Sequence, residues 1–157
     1  MNKYDVRKII DSDIEEIAKF FHKTVHTVAS KYYNKSQCDV WASKDKINID
    51  FWKKRFKDEY VFVALFENKI VGFISLRDDG LLDHLYIDKK HQGTPVRNLL
   101  WRNILIKVEE LGLKRIFTEA SIMAMPIAKR MGFRLIKKQT IKIEDLELTN
   151  YLMEKMM

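Results

Sequence analysis

The segment DKKHQGTPVRNLLWRN, from Asp88 to Asn103, joins a charged turn containing Gln92-Gly93 to the start of a basic amphipathic helix. A helix N-terminus leaves backbone N–H groups unpaired, and their partial positive charge attracts anions. Gly93 permits close backbone approach, Thr94 suits an N-cap, and Pro95 suits the first helical turn. Lys89, Lys90, Arg97 and Arg102 add mobile positive charge. The pattern fits a cradle for a phosphate chain, and it also fits a capped surface helix with a solvated basic face. Elsewhere, His22 and His26 lie one helical turn apart, a spacing that binds metal when further ligands join. No third ligand accompanies them, so a solvated polar face is expected and no metal. Cys38 reads as a small, semi-buried hydrophobe with nothing nearby to activate it.

These groups must be positioned by a chain of 157 residues, 46% hydrophobic and 32% charged, which is the balance of one soluble domain spanning residues 1–157. The formal net charge of +7 favours anionic partners: nucleic acid, an acidic surface or a polyphosphate. No recognition helix or aromatic–basic sheet motif accompanies the charge, so nucleic acid is not the expected partner. One cysteine cannot form an internal disulfide, which favours a reducing compartment. The opening MNKYDVRKIIDSD has no apolar run of the signal-peptide kind, and no stretch approaches a membrane span. A cytoplasmic protein is expected.

The hydrophobic periodicity predicts a strand at Tyr4–Ile10, then a helix that begins after Asp11-Ser12 and ends near Ser30 to Tyr33. Further helices are expected from Ser36 and from Asn48 or Asp50. YVFVALFE and IVGFISL, separated by Asn68-Lys69, read as an antiparallel hairpin. Gly80 turns the chain into the strand LLDHLYID. A helix from Pro95 to Leu111, the strand RIFTEA, a helix from Met123 to Met131, and strands FRLIKKQTIKI and LELTNYLMEK complete the order. That order gives an α+β fold with a largely antiparallel sheet.

YVFVALFENKIVGFISL, LDHLYIDKKHQG, NLLWRNILIKVEELGLKRI and TEASIMAMPIAKRMGFRLIKKQ occur in the order and on the elements of the GCN5-related N-acetyltransferase (GNAT) superfamily, which the chain resembles over nearly its whole length. The terminal LELTNYLMEK resembles the closing strand of its YafP-like bacterial members. The resemblance implies a six- to seven-stranded, mostly antiparallel sheet with a splayed central strand pair and about four helices. It implies that backbone near Leu85, Tyr86 and Ile87 pairs with the pantetheine arm of acetyl-CoA. The cofactor's pyrophosphate is then expected at Gln92, Gly93, Thr94, Val96, Arg97 and Asn98. The loop departs from the family's Gln or Arg, two residues, Gly, one residue, Gly: it is one residue short, and Pro95 removes a donor.

The implied activity is direct acetyl transfer from acetyl-CoA to a primary amine of a small molecule or peptide. That chemistry needs a neutral amine held near the thioester, a stabilised oxyanion and a protonated leaving thiolate. Asp83, His84 and Glu119 are the candidate bases; on a regular strand Asp83 and His84 face opposite sides, so at most one enters the cleft. Ser121 matches a family position that contacts the cofactor, and it also suits a helix N-cap. The family tyrosine that protonates the sulfur falls on Ala128, so Tyr86, Tyr151, Tyr32, Tyr33 or solvent is the candidate substitute. Tyr32, Tyr33 and Trp41 are expected to line the acceptor pocket. A non-catalytic coenzyme A binder or sensor of the same fold is the alternative. The edges of the two terminal strands invite pairing across a two-fold axis, as a homodimer.

Overall fold

The computed structural model describes residues 3–157. Seven strands form two antiparallel sheets. Strand β1 (Tyr4–Lys8) leads into α1 (Asp13–Val28), which a 3-10 turn extends to Lys31, and then into α2 (Lys35–Trp41) and α3 (Ile49–Phe56). Strands β2 (Glu59–Phe66), β3 (Lys69–Arg77) and β4 (Leu82–Ile87) follow, then α4 (Val96–Glu110), β5 (Arg115–Ala120), α5 (Ala124–Arg130), β6 (Arg134–Ile143) and β7 (Leu146–Met156). Five α-helices are present among the described residues, the five that the periodicity predicts, where the resemblance implies about four.

Local chemistry explains the boundaries. Asn34 accepts the Gln37 N–H while the Gln37 side chain accepts the Asn34 N–H, a capping box that starts α2. Asn48 caps α3 through the N–H groups of Asp50 and Phe51. In the β2–β3 turn both Glu67 and Asn68 have positive φ, the twist that a two-residue hairpin favours.

The first sheet has the order β1-β2-β3-β4 and the second β5-β7-β6. Helices α1 and α3 cover one face of the first sheet, with Ile17, Phe21, Val25 and Trp52 in one core cluster with Phe73 of β3. Helix α4 covers the other through Val96, Leu100, Ile104 and Val108. Between the sheets runs one parallel bridge, Leu81 to Phe117. Phe117 N–H donates to the Gly80 carbonyl at 3.0 Å and Thr118 Oγ1 to the Leu82 carbonyl at 2.9 Å. Beyond these bonds β4 and β5 diverge. Gly80 sits at the apex with φ 98°, where a Cβ would lie 2.7 Å from the Arg115 carbonyl oxygen. Only glycine fits that crossing.

Strand β7 lies between β5 and β6, so both its edges are paired; of the two terminal strands, only β6 keeps a free edge. The expected pairing of both terminal strands across a two-fold axis is thereby reduced to β6. No helix among the described residues is long and apolar enough to cross a membrane.

Candidate active site

The divergence of β4 from β5 opens a cleft of about 980 Å³, within the range of small-molecule sites. From His84 to Ile87, β4 pairs with β3 on one side and with no strand on the other. Its outer backbone N–H and C=O groups are therefore available to an extended ligand.

At one end of the cleft stands the N-terminus of α4. Pro95 occupies the cap, and its carbonyl accepts from Leu99 N–H at 3.0 Å. The N–H groups of Arg97 and Asn98 have no intramolecular acceptor among the described residues. Gly93 has φ 76°, and a Cβ there would meet nothing within 4 Å, so the loop is open. Arg97 Nε is buried without a partner and its side chain lines the cleft. Unpaired amides, open space and an orphaned guanidinium fit a polyphosphate. The proline removes one donor but leaves the groove unblocked. Gln92 reaches back to the Ile87 carbonyl at 3.5 Å, and Thr94 Oγ1 donates to the His91 carbonyl.

Leu85, Tyr86, Ile87, Gln92, Gly93, Thr94, Arg97, Asn98 and Ser121 all line the cleft. Val96 does not. Its side chain is fully buried beneath α4 against the first sheet, because the same helix turn that frees the backbone must also be anchored. Ser121 Oγ accepts Ala124 N–H at 3.2 Å and so starts α5 while facing the cleft.

Asp83 and His84 depart from the expected alternation. His84 pairs with Ser75 and Leu82 with Leu76, which leaves Asp83 as an extra residue in a β-bulge. Both side chains consequently reach the same cluster. Asp83 accepts from Arg55 Nε and Nη2 at 3.1 Å each, and its Oδ2 lies 3.6 Å from His84 Nδ1. His84 Nδ1 lies 2.7 Å from Ser75 Oγ, and its ring sits 5.5 to 6.5 Å from those of Phe21, Trp52, Phe56, Phe73 and Tyr86. Burial in that aromatic shell pushes the imidazole down to about 4, so His84 is neutral.

A third member, Glu59 at the start of β2, was not singled out by spacing or motif. Its side chain is 2% exposed, 3.8 Å from His84 Nδ1, and neither carboxyl oxygen has a donor aimed at it. Burial, then the hydrogen bond and charge of Asp83, push Glu59 well above the carboxylate range. Burial alone would raise Asp83 too, but the Glu59 proton, His84 and Arg55 hold it below its usual value. The pair thus shares one proton, carried by Glu59. The three residues bring ligand-type atoms within 4.8 Å of one another, yet Arg55 already occupies both Asp83 oxygens, an arrangement that opposes a metal cation.

A family model for the acetyltransferase (GNAT) domain matches residues 28–155. The chain belongs to the GNAT acetyltransferases. It is 29% identical over 153 residues to the uncharacterized N-acetyltransferase YafP of Escherichia coli K12, covering 98% of this chain and 96% of that one. A GCN5-related N-acetyltransferase structure from Rhodopseudomonas palustris matches with TM-score 0.92 at 22% identity, over 100% of this chain and 98% of that chain. The PaiA N-acetyltransferase of Thermoplasma acidophilum, solved with coenzyme A, matches with TM-score 0.77 at 17% identity over the whole of both chains. YncA, a putative acetyltransferase of Salmonella typhimurium solved with acetyl-CoA, matches with TM-score 0.71 at 14% identity, over 99% and 94%.

Within this GNAT chain the tyrosine candidates separate. Tyr151 does not line the cleft; it is partly buried against the core cluster beneath α4, and its neighbour Asn150 lines the cleft instead. Tyr33 lines the cleft, but its hydroxyl donates to the Thr149 carbonyl at 2.7 Å and accepts from Ile122 N–H at 3.0 Å. It is a structural pin. Tyr32 is 53% exposed at the mouth, and Trp41 packs edge-on to Tyr33 at 5.3 Å. Glu119 lines the cleft, exposed, accepting only from Gln139 Nε2 at 2.9 Å; it does not cap α5. Ala128 lines the wall where the family tyrosine would stand. His22 and His26 lie 4.4 Å apart, and His26 Nε2 is 2.9 Å from the Ala42 carbonyl oxygen. Cys38 is fully buried, its thiol pushed up by burial.

Proposed function

We propose that the cleft transfers an acetyl group from acetyl-CoA directly to an amine in a ternary complex. The observation that carries this reading is the unpaired edge of β4 leading to the unpaired amides of α4 beside the orphaned Arg97. The two neighbours solved with coenzyme A or acetyl-CoA support the same donor. In this reading the pantetheine arm lies along Leu85 to Ile87, with Gly93, Arg97 and Asn98 at the pyrophosphate. The outer N–H groups of β4 stabilise the charge that develops on the thioester oxygen.

The amine nitrogen bonds to the thioester carbon as the C–S bond breaks, and the nitrogen gives up a proton. Glu119 is the favoured acceptor for that proton, directly or through one water. His84 is sequestered and weakly basic. Asp83 is held by Arg55. Among the described residues, Glu119 is the one cleft carboxylate that no cation engages. With alanine at 128, the thiolate takes its proton from solvent. Calorimetric titration with acetyl-CoA, followed by thiol release across an amine library, tests the reading. Glu119→Gln is expected to keep acetyl-CoA affinity and lower kcat by about 100-fold. An unchanged kcat removes Glu119 from this role, and acetyl-CoA binding with no turnover on any amine favours the non-catalytic sensor.

A further inference from the structure

The α1–α3 side of the cleft is walled by Thr24, Trp41, Lys46, Phe51 and Arg55. Its charges are unbalanced. Arg55 is spent on Asp83, but Lys46, half-buried in the turn between α2 and α3, has no carboxylate within ion-pair distance among the described residues. Its ammonium donates to one backbone carbonyl, that of Trp41, at 2.7 Å. Burial and then the charge of Arg55 depress it, and Glu144 offsets this only through space. Exposed Lys31 on the same wall also lacks an ion pair among the described residues. A partly desolvated cation with unused donors, facing a cleft, is a site for an anion.

Two further polar atoms are unsatisfied. Asn150 Oδ1 and Thr24 Oγ1 are buried, lack hydrogen-bond partners, and belong to residues that line the cleft from β7 and α1. Both accept hydrogen bonds, and a buried acceptor left unfilled costs about 1–3 kcal/mol. Apolar and aromatic surface from Trp41, Phe51, Ile141 and Leu148 lies on the same walls. Acceptors for N–H, a flat apolar wall and an uncompensated ammonium are three different demands on one ligand.

Resting on the acetyl-transfer reading, we infer that the acceptor is an amine that also carries a carboxylate and a planar apolar body, an aromatic amino acid or a close relative, with Lys46 taking the carboxylate. Asn150 and Thr24 receive N–H groups of the bound ligand. A polyamine or diamine fits poorly, because its second cation would face Lys31 and Lys46.

The test compares matched pairs that differ by one carboxylate: L-phenylalanine with phenethylamine, and 4-(aminomethyl)benzoate with benzylamine. Thiol release is measured at saturating acetyl-CoA. At least one carboxylate member is expected to exceed its partner in kcat/KM by about tenfold or more, the ratio expected of one charged hydrogen bond. Lys46→Met is expected to close that gap and Lys46→Arg to retain it, with acetyl-CoA affinity unchanged in both. Equal or better turnover of the decarboxylated members overturns the inference, as does a gap that survives Lys46→Met. Failure of all four compounds with acetyl-CoA binding intact also overturns it while leaving the donor site standing. Failure to bind acetyl-CoA defeats the underlying reading instead.

Discussion

Arg55 on α3 and Asp83 in the β4 bulge are joined by two hydrogen bonds of 3.1 Å, and the pair leaves the neighbouring Glu59 carboxyl no cation of its own. One arginine serves one carboxylate. The second must keep its proton, and the cluster becomes a buried acid beside a buried ion pair with a neutral imidazole between them. Three titratable groups thereby meet under the cleft floor carrying little net charge, which is the form that tolerates burial.

Glu59 makes stability fall with alkali. Its unfolded carboxyl ionises near 4.5, while the folded one stays protonated to much higher pH. Above pH 4.5 the unfolded chain releases a proton that the native chain retains, so stability is lost as pH rises. Glu59→Gln keeps a donor for Asp83 and removes this loss. Melting temperatures at pH 5 and pH 9 are expected to converge in the variant and to differ in the parent.

His84 acts in the acid direction. The unfolded imidazole takes up its proton near 6.5 and the buried one at about 4. Between these values the unfolded state binds the extra proton, and stability falls with falling pH by about 3 kcal/mol in total. Denaturant titrations from pH 7 to pH 4 on the parent and on His84→Gln check this; the difference in slope, not the absolute stability, is the readout.

Arg97 carries an unpartnered, buried Nε in the ligand-free fold. Arg97→Met is therefore expected to leave unfolding stability unchanged or higher while weakening acetyl-CoA binding by about 10- to 100-fold. Calorimetry in low and high salt measures the loss, which is expected to shrink as salt screens the phosphate contact.

At Gly80, alanine would face both a positive φ and the Arg115 carbonyl oxygen 2.7 Å from its Cβ. Gly80→Ala is expected to cost about 2–4 kcal/mol. Gly93→Ala, with open space around it, is expected to cost only the smaller strain of its φ.

Order and type of the elements were legible because helical and strand periods alternate cleanly and the turns carry recognisable residues. Asn68 could be read as a hairpin turn and Asn48 as a cap from type and place alone. The bulge was not legible. Nothing in LLDHLYID announces that Asp83 is an extra residue, so a strict period of two separated Asp83 from His84 when the fold unites them. Tyr151 was named from the resemblance alone, and Asn150 lines the cleft instead, since which face of β7 looks inward depends on register with β5 and β6. Glu59 was hidden for another reason. A glutamate opening a strand is ordinary in sequence, and only the burial supplied by α3 and β4 makes it unusual.

The two sheets touch at one parallel bridge beside Gly80 and then part. A molecule lying in the gap supplies the bonds that an eighth strand would have made, so the donor serves as a keystone as well as a reactant. Emptied, the four-stranded and three-stranded halves are expected to exchange their amide hydrogens on separate clocks; loaded, they open together.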